Sequence, residues 1–217
     1  MAMKPDDMAD AIHTEMGFPG DASDDLKGWA KAIIMELTTN AVVANAPGTI
    51  TGDAPPTGGP LINGEGKNGL ITKLEEANLA DNVSSFTGRS PVTAQLIGFS
   101  KGIVDHIMAM GRVEFASGNI IGACTNTPPP PPPGLPGMFT GSGSNGEVTS
   151  LDGAQMALLV KDNVGYPDVS PELEAMCTAI CNYIMDNAEV IYALCSGTAI
   201  AGGGPIVGGF AAAGIIL

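Results

Sequence analysis

The stretch Thr178–Gly202, TAICNYIMDNAEVIYALCSGTAIAG, is the clearest guide to the organisation of this chain. It joins the end of an amphipathic helix to a glycine-rich tail. The pattern also occurs at an offset of 147, where Ala32-Ile33 matches Ala179-Ile180, and more weakly in the middle of the chain, where it ends in Gly118–Gly122. Self-similarity of this kind indicates repeated structural units. We therefore predict three units, over residues 5–70, 71–150 and 151–217.

Each outer unit reads as two helices joined by a turn. In the third unit a short helix over 154–164 is followed by Gly165-Tyr166-Pro167, and Ser170-Pro171-Glu172 has the cap, proline and early acid of a helix start. The first unit follows the same plan, with Gly17-Phe18-Pro19 between helices over 6–16 and from about 24 to 41. Both long helices carry an apolar stripe at helical spacing, which in the third unit continues to Ile191.

The middle unit is less regular. Its pattern predicts a short helix over 71–83 and a long one over 91–115, although Gly98, Gly102 and Gly111 weaken the second helix. A glycine on an apolar helix face lets another backbone approach closely. We therefore expect this helix to pack between the other two long helices.

A tail rich in Gly and Pro follows each long helix, over 48–69, 118–146 and 197–214. Each tail begins with short β-branched pieces and then breaks into Gly and Pro, which are poor residues for strand interiors. The expected fold is α+β, mainly α: three tandem helix-turn-helix units with Gly/Pro-rich extended or short β tails. We expect the tails to reach outward and to add to neighbouring sheets or chains.

The six prolines of 128–133 predict a stiff polyproline segment. Such a run can dock into an aromatic groove of another protein, or it can serve as a semi-rigid spacer. Spacers of this kind are the commoner use, so we favour that interpretation.

Composition limits the classes of function. With 9 Lys and Arg against 23 Asp and Glu, the net charge is −14, which repels phosphate backbones and argues against direct nucleic-acid binding. The first 25 residues are rich in Asp and lack the pattern of a secretory signal, so we expect the chain to mature in a cytoplasm. Neutral or basic protein surfaces are the partners that such a chain favours.

The chain end from Ile191 to Leu217 carries no charge. Its length would allow it to span a bilayer, but its glycines and proline make it a poor helix. A membrane-active or cell-surface protein that inserts this segment is therefore the less favoured alternative function. A large apolar surface usually marks a protein interface. The interface candidates are Ile200, Ile206, Val207, Phe210, Ile215, Ile216 and Leu217.

We find no pattern for catalysis, a cofactor or a metal ion. His13 and His106 are far apart in sequence and have no second ligand at metal spacing, so packing or surface roles are favoured. Cys177 and Cys181 lie four residues apart on an apolar helix face, where packing is again the simpler interpretation. Cys124 and Cys195 occupy corresponding tails, so a disulfide between them, or between subunits, is a minority alternative. We expect a protein that is not an enzyme.

The run Ala179–Val190, AICNYIMDNAEV, followed by a tail of Gly-Thr-x-x-x-Gly type, resembles small structural proteins of contractile-tailed bacteriophages. The resemblance covers 151–217 well, the first unit in part and the middle unit weakly. It implies a virion structural protein of the neck, tail or baseplate region. Such a protein is assembled in the host cytoplasm and binds other virion structural proteins, and we expect it to form a homo-oligomer.

Overall fold

The computed structural model describes residues 3–125, 137–200 and 202–217. Two helices followed by antiparallel strands occur three times along the chain. The first strands of the three sets begin at Val42, Arg112 and Glu189. Equivalent positions therefore lie at offsets of 70 and 147 from the first set in the long helices and the first strands. In the short helices, which begin at Pro5, Glu76 and Gly153, and in the turns after them the offsets are 71 and 148.

Six helices form one layer. They are α1 (Pro5–Glu15), α2 (Asp24–Thr39), α3 (Glu76–Thr87), α4 (Ala94–Met110), α5 (Gly153–Val164) and α6 (Pro171–Asn187). Each helix contacts the next along the chain, and α6 returns to contact α1. The helices therefore form a closed ring. Ser23, Thr93 and Ser170 are the N-caps of the long helices α2, α4 and α6. The side chain of each accepts a hydrogen bond from a backbone N–H of the first turn.

The strands form the second layer. They are β1 (Val42–Ala54), β2 (Gly59–Pro60), β3 (Ile62–Thr72), β4 (Arg112–Phe115), β5 (Ile120–Cys124), β6 (Gly137–Thr149), β7 (Glu189–Ala199) and β8 (Gly204–Ile216). All pairings are antiparallel, and the circuit β1-β3-β4-β6-β7-β8 closes on β1 as a six-stranded barrel. The two extra strands extend from it, since β5 pairs with β6 and β2 pairs with β5.

Three equivalent residues meet inside the barrel. Phe115 stacks on Tyr192 with ring centroids 4.6 Å apart, and the Tyr192 hydroxyl donates to the side-chain oxygen of Asn45. The Asn45 amide in turn donates to the Thr49 hydroxyl and to the Lys67 carbonyl. Tyr192 and Phe115 are among the largest fully buried side chains, so this cluster fills the centre of the barrel.

Glycines make room for that cluster. Val43, Val113 and Val190 are equivalent, and their strand partners are Gly214, Gly69 and Gly146. A Cβ on Gly146 would overlap the Phe115 ring, and one on Gly214 would overlap the Tyr192 ring. The strands can therefore carry these aromatic rings inside only because glycine faces them.

A hydrogen bond at equivalent positions links each set of elements to the next. The side chains of Glu36 and His106 accept from the backbone N–H of Glu75 and Asp152, at 2.8 and 3.1 Å. At the third position, the Tyr183 hydroxyl accepts from the backbone N–H of Lys4 at 2.7 Å. The donors are the residues that precede α3, α5 and α1, so the three bonds tie the helical ring closed.

The predicted mainly α fold of helix-turn-helix units with short β tails is wrong. Of the described residues, 35% are in strands, and most of these belong to the closed barrel. The tails begin earlier than predicted, because the β-branched pairs after each long helix already belong to a strand, as Val190-Ile191 does in β7. They do not reach outward, since they pair with one another. The division of the chain into three domains stays a prediction.

Helix bounds in the middle of the chain also need correction. The predicted short helix over 71–83 is α3 at Glu76–Thr87, because Ile71 and Thr72 end strand β3. The predicted long helix over 91–115 runs only from Ala94 to Met110, because Arg112–Phe115 form β4, in which Val113 and Phe115 face the core. The polyproline run at 128–133 lies outside the described residues.

Helix α4 packs most closely against α5 and also contacts α3, so its neighbours in the ring are short helices and not, as predicted, the other two long helices. A Cβ on Gly102 would lie 2.5 Å from the Val160 Cα and 2.6 Å from its backbone nitrogen. Because those atoms are backbone, they cannot turn aside as a side chain would. The glycines that weaken α4 as a helix thus permit this close contact.

Gly102→Ala should lower the free energy of unfolding by about 2 kcal/mol, because overpacking outweighs the gain of about 1 kcal/mol in helix propensity. Ser100→Ala is the matched control on the same helix. Its hydroxyl is buried without a hydrogen-bond partner, so removing it should be neutral or stabilising. Urea unfolding of both variants measures the difference, and a Gly102→Ala protein as stable as Ser100→Ala would contradict the packing.

Candidate functional site

A cavity of about 690 Å³ lies at the helical end of the molecule. It is bounded by the starts of α2 and α4, by the α3–α4 and α5–α6 connections and by α6. Its size suits a small organic molecule. The aromatic residues on its wall are Phe18, Trp29, Phe99 and Tyr166, and the polar ones are His13, Ser23, Asp25, Arg89, Thr93 and Gln95. We call it the axial cavity.

Equivalent residues of the three sets converge on the axial cavity. Trp29, Phe99 and Met176 occupy the same position in the three long helices, at offsets of 70 and 147. Trp29 and Phe99 touch, with ring centroids 4.9 Å apart, and both rings are only half-buried. Side chains that would complete the apolar core of a helical ring are therefore partly open to solvent.

Around the axial cavity each long helix faces the connection that leads into the next long helix, and we call each of these three contacts a seam. Polar side chains interact at two of the three seams. Asp25 of α2 forms an ion pair with Arg89 of the α3–α4 connection. The Gln95 amide of α4 donates to the hydroxyl of Tyr166 in the α5–α6 connection. At the third seam the equivalent residues are Glu172 and Phe18, and both are exposed.

A smaller depression of about 360 Å³ adjoins the axial cavity. The two share Phe99, Tyr166 and Met176, and the depression also carries Asp168 and Glu172. Hydrogen bonds from the backbone at the start of α6, and then from Ser170, hold the pKa of Glu172 below its usual range. The carboxylate of Glu172 is therefore ionised at neutral pH, and it lies beside the shared aromatic wall.

The sequence did not single out the axial cavity. Trp29 and Phe99 belong to apolar helical stripes, and such stripes predict core packing. The positions of Phe18 and Tyr166 between two helices predict only turn residues. The usable signal was the alignment of the sets, which places aromatic residues at one position of α2 and α4.

The interface candidates are divided between the two faces of β8. Ile206 and Ile216 are buried in the barrel, so they do not offer a surface. Val207, Phe210 and Ile215 point outward and are 57%, 39% and 52% exposed. Ile200 follows β7 and is also exposed, and Leu217 is half-buried.

Strand β7 extends this outward surface. Leu194 is 63% exposed, Ala193 is exposed and Ile191 is half-buried. With Val207, Phe210, Ala212 and Ile215 of β8 they form a surface that we call the β7–β8 face. Residues 190–217 contain no charged side chain, so this face is both apolar and uncharged.

The four cysteines are free and buried. Cys124 lies on β5 and Cys195 on β7, and the structure does not join them in a disulfide. Burial raises the pKa of the Cys177 and Cys181 thiols to about 12 and that of Cys195 to about 11, and it also raises the pKa of Cys124. Thiolates are the reactive form, so these thiols should be inert in the folded protein.

The two histidines are buried at separate places. His13 lines the axial cavity, its ring lies edge-on to Phe18 with centroids 5.9 Å apart, and its Nε2 has no hydrogen-bond partner. His106 lies fully buried on α4, and its Nε2 accepts from the Asp152 N–H, which places the ring proton of the neutral form on Nδ1. Burial lowers the pKa of His106, although the charge of Asp152 acts in the opposite direction.

Within the described ranges, no group of three or more His, Cys, Asp or Glu side chains is placed to hold a metal ion. None of the helices described is long and apolar enough to cross a membrane. Comparison with protein-family models, curated proteins and solved structures gives no match for this chain.

His106→Gln should make stability less sensitive to acid. Because the pKa of His106 is lower in the folded state than the value of about 6.5 in the unfolded chain, its stabilising contribution is complete above pH 6.5 and is lost as the pH falls below that value. Between pH 7.5 and 5.5 the wild type should lose up to about 1.4 kcal/mol more than the variant. Urea unfolding at both pH values measures this, and identical losses would contradict the assignment.

Thiol titration tests the state of the cysteines. The native protein at pH 8 should show almost no fast reaction with a thiol reagent, because burial raises the pKa of each thiol. After denaturation without reductant all 4 thiols should react. A count of two in the denatured protein would instead show that one disulfide is present and would contradict the four free cysteines of the structure.

Proposed function

We propose that this chain is a structural subunit of a virus particle, of the kind that tailed bacteriophages assemble in the neck, tail or baseplate. In this role it acts by contact with copies of itself and with other virion proteins, and it performs no chemical reaction. Two observations support the proposal: the resemblance of Ala179–Val190 to phage structural proteins, and the uncharged β7–β8 face. The face is the observation that carries the homo-oligomeric part.

The charge distribution favours contact through this face. A chain with a net charge of −14 repels its own copies wherever carboxylates would be opposed. The outward residues of β7 from Ile191 onward and those of β8 carry no charge, so two copies can meet there without that repulsion. Burial of exposed side chains such as Leu194 and Phe210 then supplies the favourable free energy.

The barrel also limits how copies can associate. Each strand of the six-membered circuit is paired on both sides, so none of these strands offers a free edge along its whole length. Association through β7 and β8 therefore has to use their outer faces, by packing of side chains. This replaces the expectation that free tails add to neighbouring sheets.

Removal of the chain end is not a clean test of this proposal. Strand β8 pairs with both β7 and β1, so a chain that stops after Ser196 would lose the closure of the barrel as well as the outer face. Substitutions of outward side chains leave the backbone pairing in place. They separate the role of the surface from that of the fold.

Leu194→Glu should dissociate the oligomer of the full-length protein, because it places a charge in the middle of the apolar face. Leu70→Glu is the matched control, since Leu70 also points outward, is 43% exposed and lies on β3, away from this face. Light scattering should give a defined oligomer for the wild type and for Leu70→Glu. For Leu194→Glu it should give a mass nearer the protomer and at least a tenfold weaker association.

A wild-type protein that stays monomeric at high concentration would exclude homo-oligomerisation through this face. An oligomer that both substitutions leave intact would place the interface elsewhere on the molecule. Circular dichroism spectra that match the wild type show that each variant is folded, so that a change in mass reports on association alone.

A further inference from the structure

The side chains around the axial cavity favour a positively charged ligand. Its wall presents the rings of Trp29, Phe99 and Tyr166, and the adjoining depression adds the carboxylates of Asp168 and Glu172. The faces of aromatic rings attract cations, most strongly for Trp. Carboxylates next to the same rings add to that attraction.

We propose that the axial cavity binds a small organic cation, with an ammonium group against the aromatic rings and an apolar body in the cavity. This inference does not depend on the proposed structural role. It uses the helical end of the molecule, whereas the β7–β8 face belongs to the barrel.

The other charges near the axial cavity are consistent with a cationic ligand. Arg89 is the basic residue on the described wall besides His13, and its guanidinium is already paired with the Asp25 carboxylate. The partial positive charge at the start of α2 is opposed by Asp24 and that at the start of α6 by Glu174, whereas the start of α4 has no acid in its first turn. Asp168 and Glu172 remain as net charges at the shared wall, and the strongly acidic chain attracts cations over longer distances.

Three probes with one aromatic ring separate charge from apolar contact: benzyltrimethylammonium, benzyl alcohol and benzoate. Trp29 is the single tryptophan of the chain and lies on the cavity wall, so its fluorescence reports binding directly. The cation should bind at least about threefold more tightly than the neutral alcohol, and benzoate should bind most weakly. Isothermal titration calorimetry gives the same order without relying on the fluorophore.

Two matched pairs of variants locate the site. Phe99→Leu keeps an apolar side chain but removes a ring face, and it should weaken binding of the cation by about three- to tenfold. Phe86→Leu is its control, because Phe86 is also half-buried but lies under Lys31, outside the cavity wall.

The second pair tests the carboxylate. Glu172→Gln should weaken binding of benzyltrimethylammonium two- to threefold and leave that of benzyl alcohol unchanged. Glu174→Gln, two residues along the same helix and also exposed, makes the same change in net charge and should alter neither.

The proposal is overturned if benzyl alcohol or benzoate binds as tightly as the cation. It is also overturned if no probe binds at about 10 mM, a concentration that fills even a millimolar site. An equal loss of affinity in Phe99→Leu and Phe86→Leu would place the cation elsewhere and would also exclude the axial cavity. None of these results depends on the oligomeric state, so the failure of one proposal leaves the other testable.

Discussion

The interior of the barrel imposes the constraint on which the rest of the fold depends. A six-stranded barrel is narrow, and here equivalent positions supply an asparagine and two aromatic residues, Asn45, Phe115 and Tyr192, to its centre. The rings fit because glycine stands opposite valine in three of the six strand pairs of the barrel. The buried Tyr192 hydroxyl needs an acceptor, and Asn45 provides it. The pattern of strand pairing thus repeats three times around the barrel, whereas the three side chains at its centre differ from one another.

The helical ring is closed by a different kind of interaction. Where the long helices end, Glu36, His106 and Tyr183 perform the same task with different chemistry, since each accepts a backbone N–H at the start of the next short helix. A carboxylate, an imidazole and a phenol all satisfy a buried donor, so the position requires an acceptor and tolerates several side chains. The bond from Lys4 to Tyr183 joins the beginning of the chain to its last long helix. The strands thus form a closed barrel, and the helices form a closed ring.

The sequence predicts the outer helices well, because their caps and apolar stripes are local signals. Ser170 caps α6, as the order of residues predicts, and Ser23 caps α2 in the equivalent place. The strands could not be predicted in the same way, because their glycines have low β-propensity and are explained only by rings that lie far away in sequence, such as Phe115 facing Gly146. The axial cavity was equally hidden. It depends on how three long helices converge, and periodicity does not report where a ring of helices stays open.

The two candidate surfaces follow from one property of the chain, the uneven placement of its acids. The chain carries 23 acidic residues, and none of them falls after Glu189, so the last two strands are free to present an apolar exterior. Several of the remaining acids lie at helix starts, where backbone N–H groups stabilise them, and the start of α6 brings Glu172 next to aromatic rings. The same arrangement thus gives the barrel a surface suited to neutral partners and gives the helical end a surface suited to cations. Because the two surfaces belong to different layers, a ligand at one need not compete with a protein at the other.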